Sequence, residues 1–369
     1  MAIEGELVVR IETGDGRVRR AQARSERPRV AGRLFAGRDA REAGALAGAL
    51  FAICGRSQAI AADAAVEAAR GDRVSAECRA ARDARIAAET IQEHAWRLLV
   101  DWPKLAGRAP QVEALARGRR ALAPLLEAGD RDDPAHARGE AVAWARDAVF
   151  GCSPAAFLAI DSIEAFRAWT RSAGTPAAGV AAQVLDEHAA LGATDVAFLP
   201  AGGDAWVAES LAPAIDADAD FDDVPSWQAQ ARETGAIARV AGHPLVAAAI
   251  ATWGRGVGAR LVARLVEMAA ALEASGGRHG AVKLEGASSV SWVDTARGLL
   301  VHRVRLAGER IAAYRIVAPT EWNFHPAGAF TRAAMTLAAD DGARLEREVR
   351  WLVASLDPCV GVRYEAGHA

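Results

Sequence analysis

Cysteine is scarce in this chain: Cys54, Cys78, Cys152 and Cys359 are the four in 369 residues. So few over such a length exclude a disulfide framework and point to a reducing compartment, the cytoplasm. No apolar run reaches the ~20 residues of a membrane-spanning helix. The opening, Met1 to Glu6, has neither a basic nor an apolar segment, so no secretory signal is expected. A dominant charge is missing too. The net charge of −3 excludes the basic footprint of a nucleic-acid binder. No internal repeat or low-complexity tract is evident.

What the chain has is apolar mass. Hydrophobic residues make up 51%, enough for a sizeable core, and alanine dominates them, which favours helices. Leu7 to Glu12 and Arg17 to Ala23 read as strands around the turn Thr13-Gly14-Asp15-Gly16, with Leu7, Val9 and Ile11 on one face. Helices are expected over 39–50, 58–69, 73–100, 111–128, 136–150, 162–171, 180–191 and 259–275. The last carries the stripe Leu261, Leu265, Met268, Leu272. A short strand is expected at 195–199 and an irregular stretch at 200–227. Within that stretch Asp216-Ala217-Asp218-Ala219-Asp220 mimics the start of a calcium loop. Phe221 stands where glycine is required and Trp227 where glutamate is, so it reads as a solvated acidic loop, a docking surface at most. The glycines of Trp253 to Gly258 follow no strand, which argues against a dinucleotide loop. Strands return at 280–285, 290–293, 299–306 and 310–317, followed by two helices and Asp357-Pro358-Cys359.

Cys54 lies at a helix junction, next to Gly55, which frees the backbone. A thiol there can feel a helix N-terminus and ionise more readily, or can be a small buried hydrophobe. No His or Asp is tied to it by spacing, so a lone-cysteine enzyme has little support. Cys152 reads as structural packing, and His94 and Cys78 read as packed or exposed residues rather than ligands.

Taken together, Cys54-Gly55-Arg56-Ser57 and Asp357-Pro358-Cys359-Val360-Gly361-Val362 resemble the CGxC and DPCxxC motifs of nickel–iron hydrogenase large subunits. Ile3-Glu4-Gly5 resembles that family's opening, Thr295-Ala296-Arg297-Gly298 its arginine loop, and Pro319-Thr320-Glu321-Trp322-Asn323 its PTxWN loop. The resemblance spans about Ile3 to Glu365 and is weak between Gln111 and Gly235. It implies an α+β fold: a predominantly helical bundle with a small antiparallel sheet built from the hairpin and the strands after Gly280. The whole chain, 1–369, would be one domain, with the hairpin at 5–24, the helical body at 39–275 and the C-terminal sheet and helices at 280–365.

The resemblance also implies site roles. Cys54 and Cys359 match metal ligands. Arg297 matches a donor to cyanide on iron and Glu4 a proton relay, and with Ser57 these are the cofactor-binding candidates. Ser57 and Val362 fall where bridging cysteines belong, Ala52 where an arginine does, and Ala61 and Glu365 where histidines do. Four-thiolate nickel binding, and so a working hydrogenase, is not expected. The remaining pattern resembles that of large-subunit-like accessory proteins of the HupK/HoxV type. The implied role is a maturation scaffold or carrier that transiently holds an Fe(CN)₂CO fragment for the hydrogenase large subunit, with other maturation proteins as partners. The alternative is a metal-free chaperone that mimics the large subunit.

Overall fold

The computed structural model describes residues 5–26, 30–51, 53–127, 134–274 and 277–368. Glu4, Ala52 and most of the polar loop before Pro134 lie outside the described residues.

Alternation builds the first sheet. Leu7, Val9 and Ile11 of β1 (Glu6–Gly14) are buried on one face. β1 turns through Asp15 and Gly16, both in the left-handed region, into antiparallel β2 (Arg17–Ser25). Two left-handed residues make the tight turn that suits strand twist.

The expected single sheet is two. The hairpin's open edge is taken by the last strand, β7 (Gly361–His368), which runs parallel to β1 and places Val362 opposite Leu7. The other four strands, β3 (His279–Lys283), β4 (Ser288–Thr295), β5 (Gly298–Ala307) and β6 (Arg310–Val317), form a separate antiparallel sheet in chain order. Parallel pairing needs a long crossover. Local patterning around β7 therefore carried no sign of its distant partner.

Six helices carry or flank the candidate residues: α1 (Ala43–Leu50), α2 (Gly55–Arg70), α3 (Ala76–Trp96), α4 (Val257–Glu273), α5 (Pro319–Asn323) and α6 (Gly342–Leu356). The predicted stripe of α4 is buried, as is most of the rest of that helix. α4 is thus the central rod of the main core. A second apolar cluster lies where α1 and α2 cover β5 and β6. α2 also sits on β4, where the Ser289 and Ser291 hydroxyls donate to the carbonyls of Ala65 (2.5 Å) and Ala61 (2.6 Å). A single π-helical turn, Arg97–Asp101, extends α3.

Two further expectations fail. Residues 195–199 form no strand; Phe198 makes one bridge to Glu233. Residues 204–217 are helical rather than irregular. The acidic loop after them is tied down. Asp216 and Asp222 hold Arg303 on β5 (2.8 Å) and Arg315 on β6 (2.5 Å).

Gly55 is needed for space rather than for backbone freedom. A Cβ there would sit 2.8 Å from the carbonyl oxygen of Gly48, where α1 passes α2. Gly55→Ala is expected to cost about 1–3 kcal/mol, the usual toll of overpacking. It should appear as a lower urea midpoint with an unchanged slope.

Candidate functional site

The chain's distant ends supply the two thiols. Cys54 caps the N-terminus of α2. Cys359 follows α6, whose helical run is ended by Asp357 in the left-handed conformation; β7 then carries the chain away along β1. Both thiols are buried, and their side chains hydrogen-bond to each other. The expected convergence is present.

The thiolate-favouring helix end is not available to Cys54. Glu89 of α3 reaches that N-terminus first. Its carboxylate accepts from the backbone N–H of Arg56 (3.0 Å), the N–H of Ser57 (3.0 Å) and the Ser57 hydroxyl. The contact with Cys359 and then burial push the Cys54 thiol well above its ordinary value. Burial likewise raises Glu89.

Cys359 has its own partner. Thr320 on α5 accepts the Cys359 backbone N–H at 3.2 Å. Its hydroxyl lies 3.1 Å from Cys359 Sγ, so it can donate its own proton to the sulfur. The same short helix supports Arg297: Asn323 donates to the Arg297 carbonyl at 3.5 Å and accepts the Thr234 N–H at 2.9 Å.

Arg297 occupies the two-residue loop between β4 and β5 and is 3% exposed. Its Nη2 donates to Glu93 at 2.8 Å. Its Nε lies 3.3 Å from Asp357 Oδ1 but lacks the alignment of a hydrogen bond, leaving a buried donor with spare capacity. Burial disfavours its charge, yet Asp357, Glu93 and the two nearby cysteines hold it firmly protonated.

Asp357 gathers three guanidiniums. Arg97 Nε donates to Oδ1 at 2.6 Å, Arg264 Nη1 donates to Oδ2 at 2.9 Å, and Arg297 completes the set. Burial alone would raise this carboxyl; the arginines outweigh it and hold it well below the usual range. Behind them His94, kept neutral by burial, lies between Arg264 (3.1 Å) and Glu267 (2.7 Å). Burial opposes ionisation of Glu267 as well, but Arg239 and His94 bring it down to about 2.

The structure therefore joins Cys54, Cys359 and Arg297. Ser57 is beside them, its hydroxyl committed to Glu89. Val362 is half-buried in β7 and Glu365 pairs with Arg10 at the surface (2.8 Å). Ala61 is buried and accepts from Ser291. Cys78 and Cys152 are partly exposed and free. Among the described residues no group of three or more His, Cys, Asp or Glu side chains could hold a metal ion, and no helix is long and apolar enough to cross a membrane. Sequence reasoning missed Glu89, Glu93 and Arg97. Their four-residue spacing on one face of a helix was the available signal, obscured by the many other charges of α3.

The sequence pattern of the nickel-dependent hydrogenases matches residues 220–362. The Ni-Fe-Se hydrogenase from D. vulgaris Hildenborough superposes with a TM-score of 0.64 at 18% identity, over 95% of this chain and 97% of that one. The NiFeSe hydrogenase of Dm. baculatum gives 0.62 at 16%, over 95% of each. The fold is that of a hydrogenase large subunit. In sequence the chain is 36% identical to the hydrogenase expression/formation protein HoxV of Cupriavidus necator, over 91% of this chain and 90% of that one. It is 32% identical to HupK of Rhizobium leguminosarum bv. viciae, over 91% and 90%, and 32% identical to HupK of Bradyrhizobium diazoefficiens, over 94% and 93%. The chain belongs to this HoxV/HupK family of hydrogenase expression/formation proteins.

Two outcomes follow from the charge cluster. Asp357→Asn leaves two buried arginines, Arg264 and Arg297, and the half-buried Arg97 without their shared carboxylate and should lose about 3–5 kcal/mol of stability by chemical denaturation. The depressed carboxyls of Asp357 and Glu267 stabilise the fold fully above their unfolded values near ~4, and this is lost as pH falls toward their folded values. Glu89, raised by burial, works the opposite way and favours the fold at low pH. Wild type should thus lose more stability between about pH 5 and pH 2 than Asp357→Asn does, compared by urea titration at each pH.

Proposed function

We propose that this chain serves hydrogenase maturation as a transient carrier of an Fe(CN)₂CO fragment on its way to the hydrogenase large subunit. Cys54 and Cys359 would be the iron ligands and Arg297 the donor facing a cyanide. One observation carries this reading: two buried thiols from opposite ends of the chain touch beside a buried arginine that has a donor to spare. The family's names, expression/formation proteins, support a maturation role.

The donor set suits soft iron but is incomplete, which fits cargo rather than a resident metal. Nickel has no seat here: Val362 offers no donor and the Ser57 hydroxyl is already spoken for. Charge adds to the weak hold. Arg97, Arg264 and Arg297 are matched by Asp101, Asp357 and Glu93. Ferrous iron with two cyanides is neutral, so two thiolates would bring two unbalanced negative charges into a buried site. Binding takes the thiols as thiolates and displaces the Cys54 proton, so retention should fall as pH is lowered. The work would be done in a reducing cytoplasm, where the thiols stay free. Maturation proteins would deliver the fragment and the large subunit would receive it.

A second reading is favoured by the raised Cys54 thiol. A buried Cys54 thiol that resists ionisation also suits a metal-free chaperone that presents the large-subunit shape to maturation proteins. Infrared spectra decide. Protein purified from a host with the maturation machinery should show CO and cyanide bands, and Cys54→Ala with Cys359→Ala should abolish them. Bands that survive the double substitution refute these ligands; a band-free wild type leaves the chaperone.

A further inference from the structure

One turn after Cys54, Gln58 is fully buried on α2. Its Nε2 lies 3.8 Å from Cys54 Sγ, and its Oε1 lies 2.9 Å from His302 Nε2 on β5. His302 Nδ1 lies 2.7 Å from the hydroxyl of Tyr314 on β6. All three side chains are buried in the cluster between α2 and the second sheet.

The chemistry of these groups sets a direction. The amide nitrogen carries only donors and the amide oxygen only accepts. With the nitrogen on the sulfur, Oε1 must receive the Nε2 proton of His302. Nδ1 is then bare and accepts the Tyr314 hydroxyl. Each hydrogen in the string points toward Cys54. The imidazole is not a competing cation, because burial drops its pKa to about 3. Thr320 stands beside Cys359 as Gln58 does beside Cys54, a neutral group able to donate to the sulfur.

We infer that Gln58, His302 and Tyr314 are positioning residues that together aim one N–H at the Cys54 sulfur and so reduce its electron donation to bound iron; this rests on the carrier reading. Hydrogen bonds to ligating sulfur tune the electronics of thiolate-bound iron. A sulfur that already accepts a hydrogen bond grips less tightly, as a ligand that must later release its cargo should. An apolar core would need no such string at this place.

Two measurements test it. Long-range ¹H–¹⁵N spectra of the full, cargo-free chain should show, besides His94 with its Arg264 and Glu267 partners, a further imidazole protonated at Nε2 with a hydrogen-bonded Nδ1. Tyr314→Phe should move that Nδ1 signal and so assign it to His302. An Nδ1–H tautomer reverses the string and overturns the inference. In cargo-loaded protein Gln58→Leu should shift the CO stretch to lower frequency, as iron becomes more electron-rich. Tyr314→Phe, which keeps the ring, should give a smaller shift in the same direction. Bands present but unmoved by either variant overturn the tuning role while carriage stands. A wild type without bands defeats carriage and the tuning role with it, and the tautomer result still reports the string's direction.

Discussion

A single buried carboxylate, Asp357, holds the centre of this molecule together. It binds Arg97 from the π-helical turn after α3, Arg264 from α4 and Arg297 from the loop between β4 and β5. Those three elements come from separate parts of the chain and from both the helical body and the second sheet. A guanidinium cannot shed its proton to escape burial, so each needs a counter-charge in reach. One carboxylate can serve three only if all converge on it. The left-handed backbone at Asp357 turns the chain out of α6 at that point, and two residues later the thiol of Cys359 is in place. The metal-ligand candidate is therefore positioned by an electrostatic knot as well as by its own contacts with Thr320.

Glu89 plays the matching part for Cys54. Helix N-termini attract negative charge, and here the protein supplies its own anion, pinned by three donors of Arg56 and Ser57. The helix end is then spent. What could have ionised Cys54 instead fixes where it sits. Both sulfurs are held by neighbours that fix geometry: Glu89 at the helix end beside Cys54 and Thr320 beside Cys359.

Much of this was legible in the residues. The hairpin, the α4 stripe and the four strands after Gly280 followed from period and turn chemistry. The convergence of Cys54, Cys359 and Arg297 followed from motif order, and no local pattern could have shown it. What escaped was long-range. The pairing of β7 with β1 depends on a partner hundreds of residues away. The capping role of Glu89 depends on how α3 lies across α2. Gly55 looked like a flexible joint, whereas a neighbouring helix needed the space. The loop of 218–223 looked solvated because its arginines lie on strands about a hundred residues later. Charge runs in sequence do not say whether their partners are water or a distant sheet.

The parallel zipper of β7 on β1 has a consequence for biosynthesis. Residue 54 emerges from the ribosome long before residue 359, and the strand that follows the second thiol can dock only once it too has been made. Until β7 has been made and has paired with β1, Cys54 stands without Cys359 beside it, so the two thiols come together late in folding.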